Sequence, residues 1–167
     1  MSPSALLAPS GFRPAGRVLA ANFAVPPALR KRRYTGRRAE GVKYEKRVHE
    51  YMGDLYGDKY IANPWLKFFS AGQAWRWCQP DAILLDPFKG KLVIVEVKFQ
   101  HTPDAWWQVR QLYQPVLSVI FPPSLWKYEF CEVVKWYDPD TSFPEPTVLA
   151  NDIAMPHEAF KVHIYHP

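Results

Sequence analysis

The chain has 167 residues, of which 48% are hydrophobic and 22% charged. A chain of this length and composition can form one folded domain, and a wholly disordered protein is excluded. No run approaches 18 apolar residues, so no membrane span is expected, and two cysteines are too few for a disulfide scaffold or a cysteine zinc site.

The net charge of +5 is unevenly distributed. Residues 1–60 carry 12 Lys/Arg against 5 Asp/Glu, whereas residues 138–167 carry 5 acidic residues against one lysine. Positive charge therefore lies at the N-terminal end, which favours a polyanionic partner.

Residues 1–36 are interpreted as a flexible basic arm, and residues 1–29, rich in Ala, Pro and Ser, are expected to be loosely structured. A basic run follows, which can neutralise nucleic-acid phosphates. A solvated flexible run and a localisation signal are alternatives. The candidate DNA-binding residues of this run are Arg30, Lys31, Arg32, Arg33, Arg37 and Arg38.

Residues 38–56 have helical periodicity, with Tyr44, Val48 and Met52 on one face and Gly57 at the expected C-terminal cap. Strands are predicted at residues 65–69, 75–77, 81–86 and 92–99. A second helix is predicted to begin after Thr102 and to be interrupted at Pro115. Further strands are predicted at 128–137 and, in the tail, at 161–165.

This order predicts an α/β (α+β) protein with a mixed central sheet flanked by helices. Residues 138–167 are interpreted as a proline-rich, acidic C-terminal extension.

Three charged residues stand close together in this predicted sheet. Glu96 and Lys98 share one face of a strand because side chains alternate with a period of two. Asp81 opens the neighbouring strand of the same hairpin. Two carboxylates on adjacent strands can hold a hard divalent cation, and a nearby lysine can orient water or offset phosphate charge.

Glu and Lys two residues apart on a strand usually mark a solvated face. Here the surrounding strand, residues 92–99, is apolar on both faces, as in a central strand. Buried charges are costly unless they are paired or bind metal, which favours a functional role.

The residues Pro80-Asp81, followed after a strand–turn–strand by Glu96-Val97-Lys98, resemble the motif of the PD-(D/E)XK nuclease superfamily. The residues around Glu45 are similar to that family's upstream acidic helix. The resemblance covers roughly residues 37–137 and implies a restriction-endonuclease-like αβββαβ core.

The resemblance also implies roles for individual residues. Asp81, Glu96 and the backbone carbonyl of Val97 would bind Mg²⁺, for which Mn²⁺ would substitute. Glu45 would bind a second metal or orient its water, and Lys98 would position the attacking water.

The helix after the motif offers further candidates. A glutamine there, Gln108 or Gln111, would lie beside the site, and the choice between them stays open. Arg110 either contacts a phosphate or is solvated. His49 is expected to be a surface or phosphate-facing residue, with a metal shared with Glu45 as the weaker alternative, and His101 either lines the cleft or does not.

The expected function is a metal-dependent DNA endonuclease, selective for junctions, flaps or ends, in repair, recombination or phage DNA processing. The alternatives are an inactive nucleic-acid-binding module of the same fold, or an interaction protein whose tail binds a protein partner. A homodimer is compatible with the sequence, and the expected location is the cytoplasm of a bacterial or phage-infected cell.

Overall fold

The computed structural model of the chain describes residues 8–29, 32–138, 140, 147–149 and 160–167. Helix α1 spans Arg37–Tyr56, and a second helical segment runs through α2 (Pro103–Gln108), a π-helical turn (Val109–Tyr113) and α3 (Gln114–Ile120). The strands are β1 (Val18–Phe23), β2 (Tyr60–Ala62), β3 (Leu66–Ser70), β4 (Arg76–Cys78), β5 (Ala82–Asp86), β6 (Lys91–Gln100), β7 (Lys127–Trp136), β8 (Thr147–Leu149) and β9 (Phe160–Ile164).

The large sheet has the strand order β2-β5-β6-β7-β9-β8. Strands β2, β5 and β6 pair antiparallel, whereas β6, β7, β9 and β8 pair parallel, so the sheet is mixed. The predicted α/β class with a mixed sheet is therefore confirmed.

Helices cover both faces of this sheet. Tyr44, Val48 and Met52 of α1 pack in one cluster with alternate valines of β6. The second helical segment packs on the opposite face, where Leu92 and Ile94 of β6 are buried. Strand β6 is thus buried on both faces, as its continuous apolar pattern predicts.

The second helical segment is interrupted immediately before Pro115, as the sequence predicts. Proline has no N–H, so the Gln111 carbonyl one turn earlier cannot accept the usual helical hydrogen bond. It accepts instead from the Ala15 N–H at 2.8 Å. The break in the helix therefore fastens a residue of the N-terminal segment to the core.

The N-terminal segment differs from expectation. The prediction of loose structure over residues 1–29 is wrong for Val18–Phe23, which form β1 and pair antiparallel with β3. Strands β1, β3 and β4 make a second, three-stranded sheet, called here the small sheet. Leu66 and Phe68 of β3 are buried in the main core together with Ala15, which precedes β1. These contacts join the small sheet to the core.

The C-terminal residues also contribute to the fold. Sequence analysis places residues 138–167 outside the core, yet β9 pairs directly with β7 inside the large sheet. The strand predicted at 161–165 is confirmed, whereas β2 and β8 carry no strand pattern that we recognised. No helix in the described part of the chain is both long and apolar enough to span a membrane.

Candidate functional site

The predicted acidic pair meets where the β5–β6 ladder ends. The last residue pair of that ladder is Ala82 with Val95, so Asp81 lies opposite Glu96, one step beyond it. The Val97 N–H donates to Asp81 Oδ2 at 2.7 Å. This hydrogen bond fixes the Asp81 carboxylate against β6.

Glu96 and Lys98 interact directly on one face of β6. Lys98 Nζ lies 2.6 Å from Glu96 Oε1, and Glu96 is only 2% exposed. The second oxygen, Glu96 Oε2, is buried and has no hydrogen-bond partner among the described residues. A buried carboxylate oxygen without a donor is unfavourable, so the site is suited to a positively charged ligand.

The two carboxylates are electrostatically strained. Burial raises the pKa of Asp81 to about 6, and the Glu45 charge contributes in the same direction against the opposing effect of Lys98. Burial and then the Asp81 charge raise the pKa of Glu96 to about 8. A divalent cation between them would relieve both the desolvation and the repulsion.

Lys98 stays cationic in this environment. Burial lowers its pKa, but the charges of Glu96 and Asp81 outweigh that effect, and the net pKa is raised. The lysine therefore offers a permanent positive charge beside the acidic pair.

Glu45 lies on the α1 side of the same site. Its Oε1 is 3.2 Å from His49 Nε2, and His49 Nδ1 is 2.6 Å from the Tyr60 hydroxyl. The Asp81 and Glu45 charges both act on Tyr60, after burial, to raise its pKa. His49 thus bridges an acidic residue to a tyrosine, and Glu45 and His49 both line an open cleft of about 460 Å³.

The donor set fits a hard cation held by few protein ligands. Among the described residues, no group of three or more His, Cys, Asp or Glu side chains is arranged to hold a metal ion. Mg²⁺ keeps several waters and commonly binds through one or two carboxylates. Asp81 and Glu96, with the unpartnered Oε2, meet that requirement, whereas a site in which Glu45 completes a preformed triad is not present.

The structure separates the candidates on the second helical segment. Gln108 is half-buried, and its Oε1 has no hydrogen-bond partner among the described residues, whereas the Gln111 side chain is exposed. Tyr113 is the residue of this segment whose pKa is raised by burial and then by the charges of Glu96 and Asp81. The helical spacing of Tyr113 in the sequence does not indicate that Glu96 and Asp81 act on its hydroxyl.

A further buried acidic residue lies on β7, the strand next to Glu96. Glu132 of β7 is fully buried and in register with Glu96. Its Oε2 is 2.6 Å from His101 Nδ1, and its Oε1 accepts from the Thr102 N–H at 3.2 Å. Sequence reasoning missed Glu132, although a glutamate within the apolar run 130–134 is the same signal that identified Glu96.

The predicted DNA-binding residues are dispersed. Arg30 and Lys31 lie outside the described residues. Arg110 is half-buried, with its guanidinium 4.3 Å from the ring centroid of Phe130. Exposed positions before and within the first turn of α1 are taken by Arg32, Arg33, Arg37 and Arg38.

Comparison with known protein families, with characterised proteins and with solved structures finds no match for this chain.

Proposed function

We propose that this chain is a metal-dependent DNA endonuclease with a restriction-endonuclease-like core. The observation that carries the proposal is the meeting of Asp81, Glu96 and Lys98 at one point of the large sheet. Two strained carboxylates, one with an unpartnered buried oxygen, lie beside a lysine whose charge is retained. This combination suits phosphodiester hydrolysis better than a structural ion pair.

Asp81 and Glu96 are the residues that would hold Mg²⁺ or Mn²⁺, together with the Val97 carbonyl. When bound, the ion would supply Lewis-acid polarisation of the phosphate and a more acidic bound water. The Val97 N–H keeps Asp81 in place for this role. Glu45 and His49 line the cleft beside α1, where they can orient water or substrate.

Lys98 has two functions in this proposal. Its ammonium is bonded to Glu96, which fixes its direction, and its raised pKa keeps it protonated. It can therefore hold a phosphate oxygen and stabilise the negative charge that develops during hydrolysis. It is not suited to act as a general base.

The basic residues of α1 support a nucleic-acid substrate. Arg37 and Arg38 are exposed in the first turn of the helix. Cations there oppose the helix dipole at a cost of about 0.3–1 kcal/mol each. Contact with phosphates would offset this cost, and with Arg32 and Arg33 they form the DNA-binding arm that we propose.

The first prediction concerns cleavage. Linear duplex, single-stranded, flap and four-way-junction DNA are incubated with Mg²⁺ or Mn²⁺, and products are resolved on denaturing gels. We expect the wild type to cleave at least one structured substrate, and Glu96→Gln and Asp81→Asn to lose at least about a hundredfold in rate, since each removes a metal-binding charge.

A matched control is Glu129→Gln. Glu129 is a buried glutamate on β7, 1% exposed, and it pairs with Lys91 in the part of β6 that precedes the site. This variant should cleave normally once folding is verified. Full activity in Glu96→Gln would contradict the proposal, and metal-independent binding without cleavage would favour an inactive nucleic-acid-binding module.

A further inference from the structure

The outer face of the small sheet carries a group of aromatic rings around one lysine. Trp77 is opposite Lys67 in the β3–β4 ladder, so both side chains share a face. Lys67 Nζ lies 5.1 Å from the ring centroid of Trp75 and 5.6 Å from that of Trp77. Phe69 packs on Trp75, and Trp65 meets Trp77 edge to face. These five residues, Trp65, Lys67, Phe69, Trp75 and Trp77, are called here the aromatic platform.

The platform is not needed to complete the hydrophobic core. The opposite face of β3 contributes Leu66 and Phe68, which are 0% and 1% exposed. Trp75 is 50% exposed, and Trp65, Phe69 and Trp77 are half-buried. Several large rings on the outer face of a sheet are typical of a binding surface.

The charge of the residues in and around the small sheet indicates which kind of ligand the platform can bind. Residues 8–29 and 63–80, which contain the three strands of the small sheet and the residues next to them, include four basic residues. The same residues include no Asp or Glu, although the whole chain has 16. Arg76 packs over Phe68 on the opposite face, so Lys67 is the cation that contacts the platform rings. An aromatic surface with a lysine at its centre and no acidic residue in these segments is complementary to a ligand that has both flat rings and negative charge.

The platform is joined closely to the proposed metal site. Only three residues separate Trp77 from Asp81, so their Cα atoms are at most about 14 Å apart. The segment between Trp77 and Asp81 is also hydrogen-bonded to the residue that follows β2, because the Asn63 N–H donates to the Asp81 carbonyl at 2.7 Å. Gln79 Nε2 donates in turn to the Asn63 carbonyl at 2.9 Å. A nucleic-acid strand that lies on the platform is therefore within reach of the acidic pair.

We infer that the aromatic platform binds unpaired nucleotides of single-stranded DNA, whose bases stack on the exposed rings and whose backbone contacts Lys67. Stacking on aromatic side chains requires bases that are not paired in a duplex. This inference rests on the proposed function and specifies it: the substrate has a single-stranded segment beside the scissile bond. A flap or an end with an overhang meets this condition, whereas a blunt duplex does not.

The test measures binding without cleavage. Fluorescein-labelled dT15 and a 15-base-pair duplex are titrated with the full chain in EDTA, and anisotropy gives Kd. We expect tighter binding of dT15 than of duplex. Trp75→Ala should weaken dT15 binding about tenfold, and Trp75→Phe should restore most of it. Lys67→Gln should reduce the salt dependence of dT15 binding by about 0.7 in slope.

The control variant is Phe88→Ala, which removes a ring that is 99% exposed in the β5–β6 turn. It should bind dT15 like the wild type. Unchanged binding by Trp75→Ala, an equal loss in Phe88→Ala, or equal affinity of the wild type for duplex would each overturn the inference.

The two proposals can fail separately. Metal-dependent cleavage that is lost in Glu96→Gln, with normal dT15 binding by Trp75→Ala, would reject the platform alone. Stacking-dependent binding of dT15 without any metal-dependent cleavage would reject the nuclease and leave the platform as the surface of a binding protein.

Discussion

Three buried glutamates in neighbouring strands show what distinguishes the candidate site from ordinary ion pairs. Both oxygens of Glu129 lie within 4.0 Å of a lysine, and both oxygens of Glu132 have hydrogen-bond partners in His101 and the Thr102 N–H. Glu96 has Lys98 on one oxygen and no hydrogen-bond partner among the described residues on the other. Neither burial nor an unpartnered oxygen separates Glu96 from Glu129, because the oxygens of Glu129 also have no hydrogen-bond partner among the described residues. The difference is in the neighbouring charges: Glu129 lies near two lysines, whereas Glu96 lies opposite a second carboxylate, that of Asp81.

The raised pKa of Glu96 predicts a pH-dependent stability in metal-free protein. The folded state raises this pKa from 4.5 to about 8, so it binds the proton more tightly than the unfolded chain does. The contribution is complete below pH 4.5 and is lost as pH rises towards 8. We expect the Tm in EDTA to fall over this interval more steeply in the wild type than in Glu96→Gln.

Thermal unfolding followed by circular dichroism at half-unit pH steps would check this. The difference between the two proteins isolates Glu96 from the other carboxylates. Parallel Tm curves for wild type and variant would contradict the assignment of a strained carboxylate at this position.

At the scale of elements, some helices and strands are determined by their own sequence pattern, and others by pairing with a distant strand. The continuous apolar run of β6 and the N-capped start of α2 were recognisable because local chemistry determines them. Strand β1, with the sequence VLAANF, has no alternation of apolar and polar residues. It forms because β3 supplies the hydrogen-bonding partner, and such non-local pairing leaves no local signal.

The small sheet should therefore contribute to global stability. Phe68 of β3 is 1% exposed, and the Arg76 guanidinium lies 4.7 Å from its ring centroid. We expect Phe68→Ala to lower the free energy of unfolding by about 3–5 kcal/mol, because it leaves a cavity in the main core. Urea denaturation would measure the loss.

The control for this prediction is again Phe88→Ala, because that ring is almost fully exposed and should contribute little. Similar stability of Phe68→Ala and Phe88→Ala would mean that the small sheet is not integrated with the core.

At the scale of the whole molecule, metal binding should be linked to folding. A ligand that binds only the folded state raises stability by RT ln(1 + [L]/Kd). We expect Mg²⁺ or Mn²⁺ to raise the Tm of the wild type and of Glu129→Gln, but not that of Glu96→Gln. Ca²⁺ is a useful additional probe because it also prefers oxygen ligands.

Differential scanning fluorimetry across a metal titration would report this effect without any DNA. An equal Tm rise in Glu96→Gln and wild type would assign metal binding to some other part of the chain.

The C-terminal residues illustrate how whole-molecule topology escapes sequence reasoning. The charge and proline content of residues 138–167 predict an extension beyond the core, although one strand is predicted within it. Only the assembled sheet shows that β9 lies between β7 and β8. The core therefore includes strands from both ends of the chain, which changes where any truncation can safely be made.

The sequence by itself determined the elements whose residues carry their own signal: the apolar strand β6, the amphipathic α1, the interruption at Pro115, and the three residues Asp81, Glu96 and Lys98. These features depend on side-chain periodicity, backbone chemistry or the cost of burying charge, all of which are local. The tertiary structure decided what depends on contacts between distant segments: the pairing of β1 with β3, the insertion of β9, the Glu132–His101 pair and the proximity of Tyr113 to the acidic site. The Gln111 carbonyl depends on both sequence and fold. Pro115 has no N–H to bond it within the helix, and the tertiary structure places the Ala15 N–H where it donates to this carbonyl.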